Sequence, residues 1–210
     1  MKRKVSRFIL IVFLLVSSGC YQRSGTKKEY YETGELMSEC DYVGYDYHGT
    51  CKFYYRNGAL KESSLFVQGE QTGLLQLYNE RGRLIEASML KDGERQGLMR
   101  LYDDDGKLLK EGNVIDGKPE GLVREYYDDG QIAREAFYSN SAQTIDVIEF
   151  YENGARKSRY KKDGLQYVGM YFEYHINGRI AEESEYKDGQ RLSQKRFDRQ
   201  GNCYAGDCKQ

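Results

Sequence analysis

A 24-residue period runs through almost the whole chain. Glycines recur at this step, and an aromatic residue stands four positions before each of them. The glycines are Gly34, Gly58, Gly82, Gly106, Gly130, Gly154 and Gly178, and the aromatics are Tyr30, Tyr54, Tyr78, Tyr102, Tyr126, Phe150 and Tyr174. A last, less regular copy has Phe197 and Gly201. Because each copy of such a period forms one supersecondary unit, the chain is expected to fold as a linear array.

Each unit contains two short runs rich in Leu, Tyr and Phe, such as LLQLY and RLIEASML within residues 73–96. Runs this short favour strands over helices, and alternation puts Leu84, Glu86, Ser88 and Leu90 on one face. The turns RNG, ENG, ING, DDG and KDG place Asn or Asp before Gly, where positive φ is expected in tight hairpins. The prediction is all-β: an elongated antiparallel β-meander or solenoid of about eight β-hairpin repeats and about sixteen strands. It should form a thin, twisted single sheet with apolar residues on both faces and no globular core.

The pattern Gly-x4-aromatic-x3-Gly-x-Leu, closed by KDG or a similar turn, resembles the MORN repeat. It is most similar to the variant repeats of bacterial proteins described as YwqK-like antitoxins. The resemblance covers residues 29–201, and the variant form fits better because the chain has no Trp and a 24-residue spacing. It implies a β-hairpin array that serves as a scaffold or binding surface, not as a catalyst.

The first residues predict export. Residues 1–19 have a basic start, an apolar run over residues 8–16 and then small residues, which is the layout of a signal peptide. VSSGC, ending at Cys20, resembles a bacterial lipobox, although Ser17 departs from the usual large aliphatic residue. The resemblance implies lipidation of Cys20 and localisation in the bacterial cell envelope, at the outer membrane if the cell is Gram-negative. The alternative is an ordinary cleaved signal or a short membrane anchor, with Cys20 incidental.

Residues 20–28 are then the lipidated N-terminus and linker, residues 29–201 the repeats, and residues 202–210 a C-terminal tail. Removing the leader takes away four of the 32 basic residues and none of the 33 acidic ones, so the mature chain is mildly acidic. No basic block suggests nucleic acid as a partner.

Four cysteines besides Cys20 allow three pairings. Cys40 and Cys51 flank a turn predicted to centre between Tyr45 and Asp46, so they are expected to face each other across a hairpin. Cys203 and Cys208 could close a small loop in the tail. Both disulfides are predicted because an exported protein meets oxidising conditions. The alternative is free thiols.

The acidic turns, such as Asp103, Asp104 and Asp105, are interpreted as turn residues, and no metal site is predicted. The chain has two histidines, His48 and His175. A Cys–His nucleophile from His48 and Cys51 is conceivable, but no oxyanion loop or orienting acid accompanies it. We therefore expect no catalytic residues, no cofactor and no enzymatic activity.

The period is disturbed in the fifth and sixth units. SNSAQT replaces the usual turn at residues 139–144, and Arg156 and Lys162 occupy positions that are apolar elsewhere. One interpretation is a degenerate unit or a kink. The other is a partner-binding interruption in which four basic residues form a patch: Arg156, Arg159, Lys161 and Lys162.

These observations predict a non-enzymatic, lipid-anchored envelope repeat protein that acts as a protein-binding scaffold. Its partners would be the membrane, through the lipid, and a protein of unknown identity. Two alternatives stay open: an antitoxin or immunity protein that neutralises a toxin, and a structural envelope component that contacts lipid or cell-wall polymer.

Overall fold

A computed structural model describes residues 23–139 and 144–208, and these residues form sixteen strands and no helix. The strands are β1 (Ser24–Tyr30), β2 (Leu36–Val43), β3 (Asp46–Tyr54), β4 (Leu60–Val67), β5 (Glu70–Tyr78), β6 (Leu84–Lys91), β7 (Glu94–Tyr102), β8 (Leu108–Ile115), β9 (Lys118–Tyr126), β10 (Ile132–Tyr138), β11 (Thr144–Phe150), β12 (Arg156–Asp163), β13 (Gln166–Tyr174), β14 (Ile180–Lys187), β15 (Gln190–Phe197) and β16 (Cys203–Gly206).

All sixteen strands belong to one antiparallel sheet and follow one another in sequence order. This confirms the predicted single-sheet meander. The sheet extends slightly beyond the predicted repeats at both ends. Residues 24–28 were predicted to be linker but pair with β2, and Cys203–Gly206 in the predicted tail pairs with β15. At both ends, residues outside the regular repeats join the sheet because this pairs their backbone N–H and C=O groups with those of the neighbouring strand.

Short two-residue turns connect several even-numbered strands to the next odd-numbered strand. Between β6 and β7, Asp92 has φ 52° and Gly93 has φ 78°; Asp116 and Asp188 adopt the same conformation before Gly117 and Gly189. Two consecutive residues at positive φ match the right-handed twist of the flanking strands. The predicted conformation is therefore confirmed for the KDG turns at Asp92 and Asp188, but not for the one at residues 162–164, where Asp163 still belongs to β12.

The longer turns that follow odd-numbered strands are built differently. In the turn after β3, only Gly58 has positive φ, and its N–H donates to the Tyr55 carbonyl over 2.9 Å. Asn57, immediately before this glycine, instead accepts a 2.9 Å hydrogen bond from the Ala59 N–H through Oδ1. The expectation of positive φ for Asn or Asp in RNG, ENG, ING and DDG is thus wrong. A three-residue loop needs the left-handed conformation only at its last residue.

A third repeated glycine marks a β-bulge in the odd-numbered strands. Between β4 and β5 the pairing shifts from Ser63–Gln76 to Leu65–Thr72, beside Gly73 at φ 70°. Such extra residues are commonly accommodated by glycine at positive φ. The equivalent glycines are Gly49, Gly97, Gly121 and Gly169.

A line of closely packed residues crosses the centre of one face, called here the inner face. Even-numbered strands mostly contribute small residues to it and odd-numbered strands larger ones. The line is formed by Cys40, Cys51, Ser64, Leu75, Ser88, Met99, Gly112, Val123, Ala136, Val147, Tyr160, Tyr171 and Ser184. Ser88, Ala136 and Ser184 are fully buried. The sheet therefore has one packed face, whereas the sequence suggested apolar residues without a preferred face.

Candidate protein-binding surface

The opposite face, called the outer face, carries a row of exposed apolar side chains. Leu74 pairs with Met89, and Leu122 with Phe137, in neighbouring strands. The exposed fractions range from 38% at Leu98 to 53% at Phe137. This apolar row consists of Leu65, Leu74, Met89, Leu98, Leu122 and Phe137. Asn113 of β8 interrupts the row beside Leu98. Groups of exposed apolar residues are typical of surfaces that contact another molecule.

A row of alternating charges runs beside the apolar row on the same face. It is formed by Arg100, Glu111, Arg124 and Glu135, which are successive cross-strand neighbours. Arg100 Nε donates to Glu111 Oε2 over 3.1 Å, and Arg124 Nε donates to Glu135 Oε1 over 3.0 Å. Hydrogen bonds from the Tyr126 hydroxyl and from Arg100 hold the pKa of Glu111 below its usual value. Exposed ion pairs of this kind contribute little to stability.

The four basic residues of the sixth unit do not form one patch. Arg159 and Lys161 lie on the outer face, where the Lys161 Nζ is 3.5 Å from Asp146 Oδ2. Lys162 lies on the inner face, with its Nζ 4.9 Å from the centre of the Tyr167 ring. The Arg156 guanidinium lies 5.7 Å from the centre of the Tyr174 ring. Alternation along β12 separates Arg159 and Lys161 from Lys162.

Around Arg159 and Lys161 the outer face combines positive charge with apolar side chains. Arg159 lies between Ile148 on β11 and Phe172 on β13 in the sheet. A shallow hollow of about 370 Å³ is lined by residues that include Arg159, Met170 and Phe172. We call this surface the basic–apolar patch, and its residues are Ile148, Arg159, Lys161, Met170 and Phe172.

On the inner face, Tyr160 of β12 replaces the small side chain that the other even-numbered strands contribute, and it packs with Tyr167 and Tyr171 of β13. Tyr160 stacks on Tyr171 with 5.9 Å between ring centres, and Tyr167 lies 5.2 Å from Tyr160 at a steep angle. Burial and the hydrogen bond to Glu149 raise the pKa of Tyr160 to about 12. The sequence signal was Tyr160 itself, which occupies the position of Ala136 and Ser184 in the flanking units. These tyrosines pack against one another across β12 and β13.

Two of the three aspartates in the DDDG turn, Asp103 and Asp105, have side-chain partners within the protein. Asp103 Oδ1 accepts 2.8 Å hydrogen bonds from the N–H groups of Asp105 and Lys107. These bonds, with that from Lys107 foremost, hold the pKa of Asp103 below its usual value. Asp105 forms an ion pair with Arg83 of the preceding repeat. In the described part of the chain, no group of His, Cys, Asp and Glu is arranged to hold a metal ion.

The structure joins Cys40 to Cys51, and Cys203 to Cys208. Cys40 and Cys51 are direct cross-strand partners, although the turn residues are Gly44 and Tyr45, one position earlier than predicted. The β-bulge at Gly49 shifts the register of β3 and so places Cys51 opposite Cys40 despite the earlier turn. Because Cys51 is part of a disulfide, it has no free thiol that could act as the nucleophile of a Cys–His pair.

His175 Nε2 lies 2.9 Å from the carbonyl oxygen of Phe197. Residues 1–19 and Cys20 lie outside the described residues.

The MORN repeat variant family matches residues 23–43, 47–68, 95–116 and 119–140. These four segments are similar to MORN-variant repeats, and together they cover less than half of the chain. Each matched MORN-variant segment contains most of an odd-numbered strand and the even-numbered strand that follows it, and all four precede the basic–apolar patch. No curated protein matches the chain. Over residues 23–139 and 144–208, no helix has the length and apolar character needed to cross a membrane.

Proposed function

We propose that this MORN-variant repeat protein is a non-enzymatic scaffold of the bacterial envelope that is lipid-anchored at Cys20 and binds a protein through its basic–apolar patch. The observation that carries the proposal is the position of Arg159 between Ile148 and Phe172 on the outer face. Arg, Met and aromatic side chains are enriched at protein interfaces. A partner with an apolar surface and a nearby carboxylate matches this chemistry.

The charges of the patch are available for such a partner. Lys161 Nζ and Asp146 Oδ2 are 3.5 Å apart, and the two side chains are 45% and 56% exposed. An exposed pair of this kind holds its geometry weakly, so Lys161 can exchange Asp146 for a carboxylate of the partner. Electrostatic complementarity would then orient the partner, and contacts with Met170 and Phe172 would supply apolar burial.

Lipidation would fix the distance between the patch and the membrane. The first strand begins at Ser24, only a few residues after Cys20. With ~4.8 Å between strands, β12 would lie about 50 Å along the array from the anchored end. The array would thus hold a bound protein well away from the lipid surface.

Site-specific photocrosslinking tests the partner-binding proposal. A photoreactive residue replaces Phe172 in the full-length protein, and crosslinks are formed in intact cells. The crosslinked proteins are identified by mass spectrometry, and the complex is then reconstituted from purified proteins. We expect Arg159→Glu combined with Lys161→Glu to remove the specific product. Lys52→Glu is the matched control, because Lys52 is an exposed basic residue on β3 of the outer face. Equal crosslinking in the double variant and the control would refute the proposal.

Cys20→Ala tests the anchor separately. The variant should appear unacylated in the soluble envelope fraction, whereas the unmodified protein should sediment with membranes and carry acyl chains detectable by mass spectrometry. Retention of the variant in the membrane would show that the anchor is assigned to the wrong residue.

A further inference from the structure

Three of the turns that follow odd-numbered strands contain asparagine directly before glycine. Each asparagine occupies the same position of the 24-residue period. Asparagine is chemically labile, and a following glycine lets its own backbone nitrogen approach the asparagine side chain because glycine has no Cβ. The three pairs are Asn57–Gly58, Asn153–Gly154 and Asn177–Gly178, and they are candidate sites of a spontaneous covalent change.

The change is deamidation, and its only co-reactant is water. The glycine nitrogen attacks the asparagine Cγ, gives up its proton and displaces the side-chain nitrogen as ammonia, which leaves a cyclic succinimide. Water then opens the ring at either carbonyl carbon and produces aspartate or isoaspartate. In sum, a side-chain amide and a water molecule become a carboxylate and ammonium, and nothing is oxidised or reduced.

The reacting groups are held by the same contacts in all three loops. The glycine N–H donates to the carbonyl at the start of the loop over 2.8–2.9 Å. The asparagine Oδ1 accepts a hydrogen bond of 2.9–3.1 Å from the N–H of the residue after the glycine. Each loop must release these contacts before its glycine nitrogen can reach Cγ, so they do not distinguish the three sites.

The side-chain amide nitrogens distinguish one site from the other two. Asn57 Nδ2 donates to the Glu80 carbonyl over 2.9 Å. Asn177 Nδ2 donates to the Arg199 carbonyl over 3.1 Å, so both amides are tied to the next turn of the array. Among the residues that the structure describes, none accepts a hydrogen bond from Asn153 Nδ2. A hydrogen bond contributes about 1 kcal/mol, so its absence favours release of the Asn153 side chain roughly fivefold.

We propose that Asn153 is a deamidation site and reacts in the folded protein faster than Asn57 and Asn177. The intrinsic reactivity of the three sites is similar because glycine follows each asparagine. The difference arises from the inter-repeat hydrogen bond that Asn153 lacks. This modification goes beyond the proposed partner binding and does not depend on it.

The two products should affect the turn between β11 and β12 differently. Aspartate fits the loop, because Asp129 occupies this position in the preceding repeat and its Oδ1 accepts a 2.9 Å hydrogen bond from the Gln131 N–H. Isoaspartate adds a carbon atom to the backbone before Gly154. This moves the Gly154 N–H away from the Tyr151 carbonyl, to which it donates over 2.8 Å in the unmodified loop. Only isoaspartate should therefore loosen the pairing of β11 with β12.

Peptide mapping by mass spectrometry measures the deamidation. The mature full-length protein in detergent is incubated at mildly alkaline pH and sampled over time. The Asn153 peptide should accumulate product roughly fivefold faster than the Asn57 and Asn177 peptides. The chain unfolded in guanidinium chloride is the matched control, in which the three peptides should react at similar rates. Equal rates at the three sites in the folded protein, or no product at Asn153, would refute the proposal.

Hydrogen exchange tests the structural consequence. Chains that carry isoaspartate at residue 153 should exchange faster in β11 and β12 than the fresh protein. Asn153→Asp is the control and should keep the protection of the fresh protein. Unchanged protection in the isoaspartate chains would overturn the expected loosening of the turn. Slow deamidation at Asn153 with intact Phe172 crosslinking would reject this inference alone, whereas the reverse result would reject only the proposed partner binding.

Discussion

The Tyr55 hydroxyl donates a 2.8 Å hydrogen bond to the backbone carbonyl of Tyr78, 23 residues later in the next repeat. Three more tyrosines make the same contact: Tyr31 with Tyr54, Tyr127 with Phe150, and Tyr151 with Tyr174. These bonds join the turn of one repeat to the end of an odd-numbered strand in the next. In a repeat array, stability depends on such contacts between neighbours.

Replacing Tyr55 with Phe should lower the free energy of unfolding by about 1 kcal/mol, because the ring stays in place and only the hydroxyl bond is lost. Urea denaturation followed by circular dichroism measures the change. Tyr45→Phe is the control, since Tyr45 is fully exposed. Combining Tyr55→Phe with Tyr151→Phe should add the two losses, because the sites are far apart. A Tyr55→Phe protein as stable as the control would show that the bond contributes nothing.

The disulfide between Cys40 and Cys51 can be removed without disturbing packing. Ala136 and Val147 face each other on the inner face in the same small–large arrangement. The double variant Cys40→Ala, Cys51→Val should therefore lose only the crosslink, at a cost of about 3 kcal/mol. Urea denaturation of both proteins, with thiol labelling of the unmodified chain before and after reduction, provides the measurement.

Removing the second disulfide should have a more local effect. Cys203 lies on β16, which pairs only with β15 and at the end of the sheet. Cys203→Ser with Cys208→Ser should increase hydrogen exchange in β15 and β16 and leave the unfolding midpoint of the other strands nearly unchanged. Faster exchange spread evenly over the sheet would contradict this expectation.

The sequence predicts the sheet well because its period is long and its signals coincide. Gly106, Tyr102 and Leu108 recur together at a fixed step, and each has one structural task in the hairpin. Strand order then follows from the short turns, which allow pairing only with the adjacent strand. The antiparallel meander could therefore be predicted without knowledge of the interior packing.

The surfaces were harder to predict because they depend on the face to which each residue belongs. Arg159 and Lys161 point to one face and Lys162 to the other, so neighbours in sequence are separated by the sheet. The bulge at Gly97 also changes which residues of β7 oppose β6. The tyrosine contacts had a visible signal, because Tyr31, Tyr55, Tyr127 and Tyr151 share one position in the period.

Alkaline pH should destabilise the inner face through Tyr160. Its pKa is about 12 in the folded chain, against an ordinary value of 10.0, so the folded state holds its proton more strongly. The stabilisation is present below pH 10 and is lost as the pH rises towards 12. Tyr160→Phe should show a smaller fall in unfolding free energy between these two pH values. Denaturation at several pH values, with the phenolate absorbance as a second signal, measures this difference, and identical pH dependence of the two proteins would contradict it.

Gly112 and Val123 provide a test of the small–large packing on the inner face. They are cross-strand partners, and a Cβ at Gly112 would lie 2.7 Å from Val123 Cγ2. Gly112→Ala should therefore cost about 1–3 kcal/mol through overpacking. Gly25→Ala is the control, because its Cβ would approach only the flexible Tyr42 side chain, at 3.3 Å.

Adding Val123→Ala to Gly112→Ala removes the methyl group that causes the clash. The double variant should be more stable than the sum of the two single changes predicts, since each substitution relieves the defect made by the other. A double-mutant cycle measured by urea denaturation gives this coupling. Strictly additive losses would mean that β8 and β9 separate to accept the new side chain, so that the size of residue 112 does not set their packing.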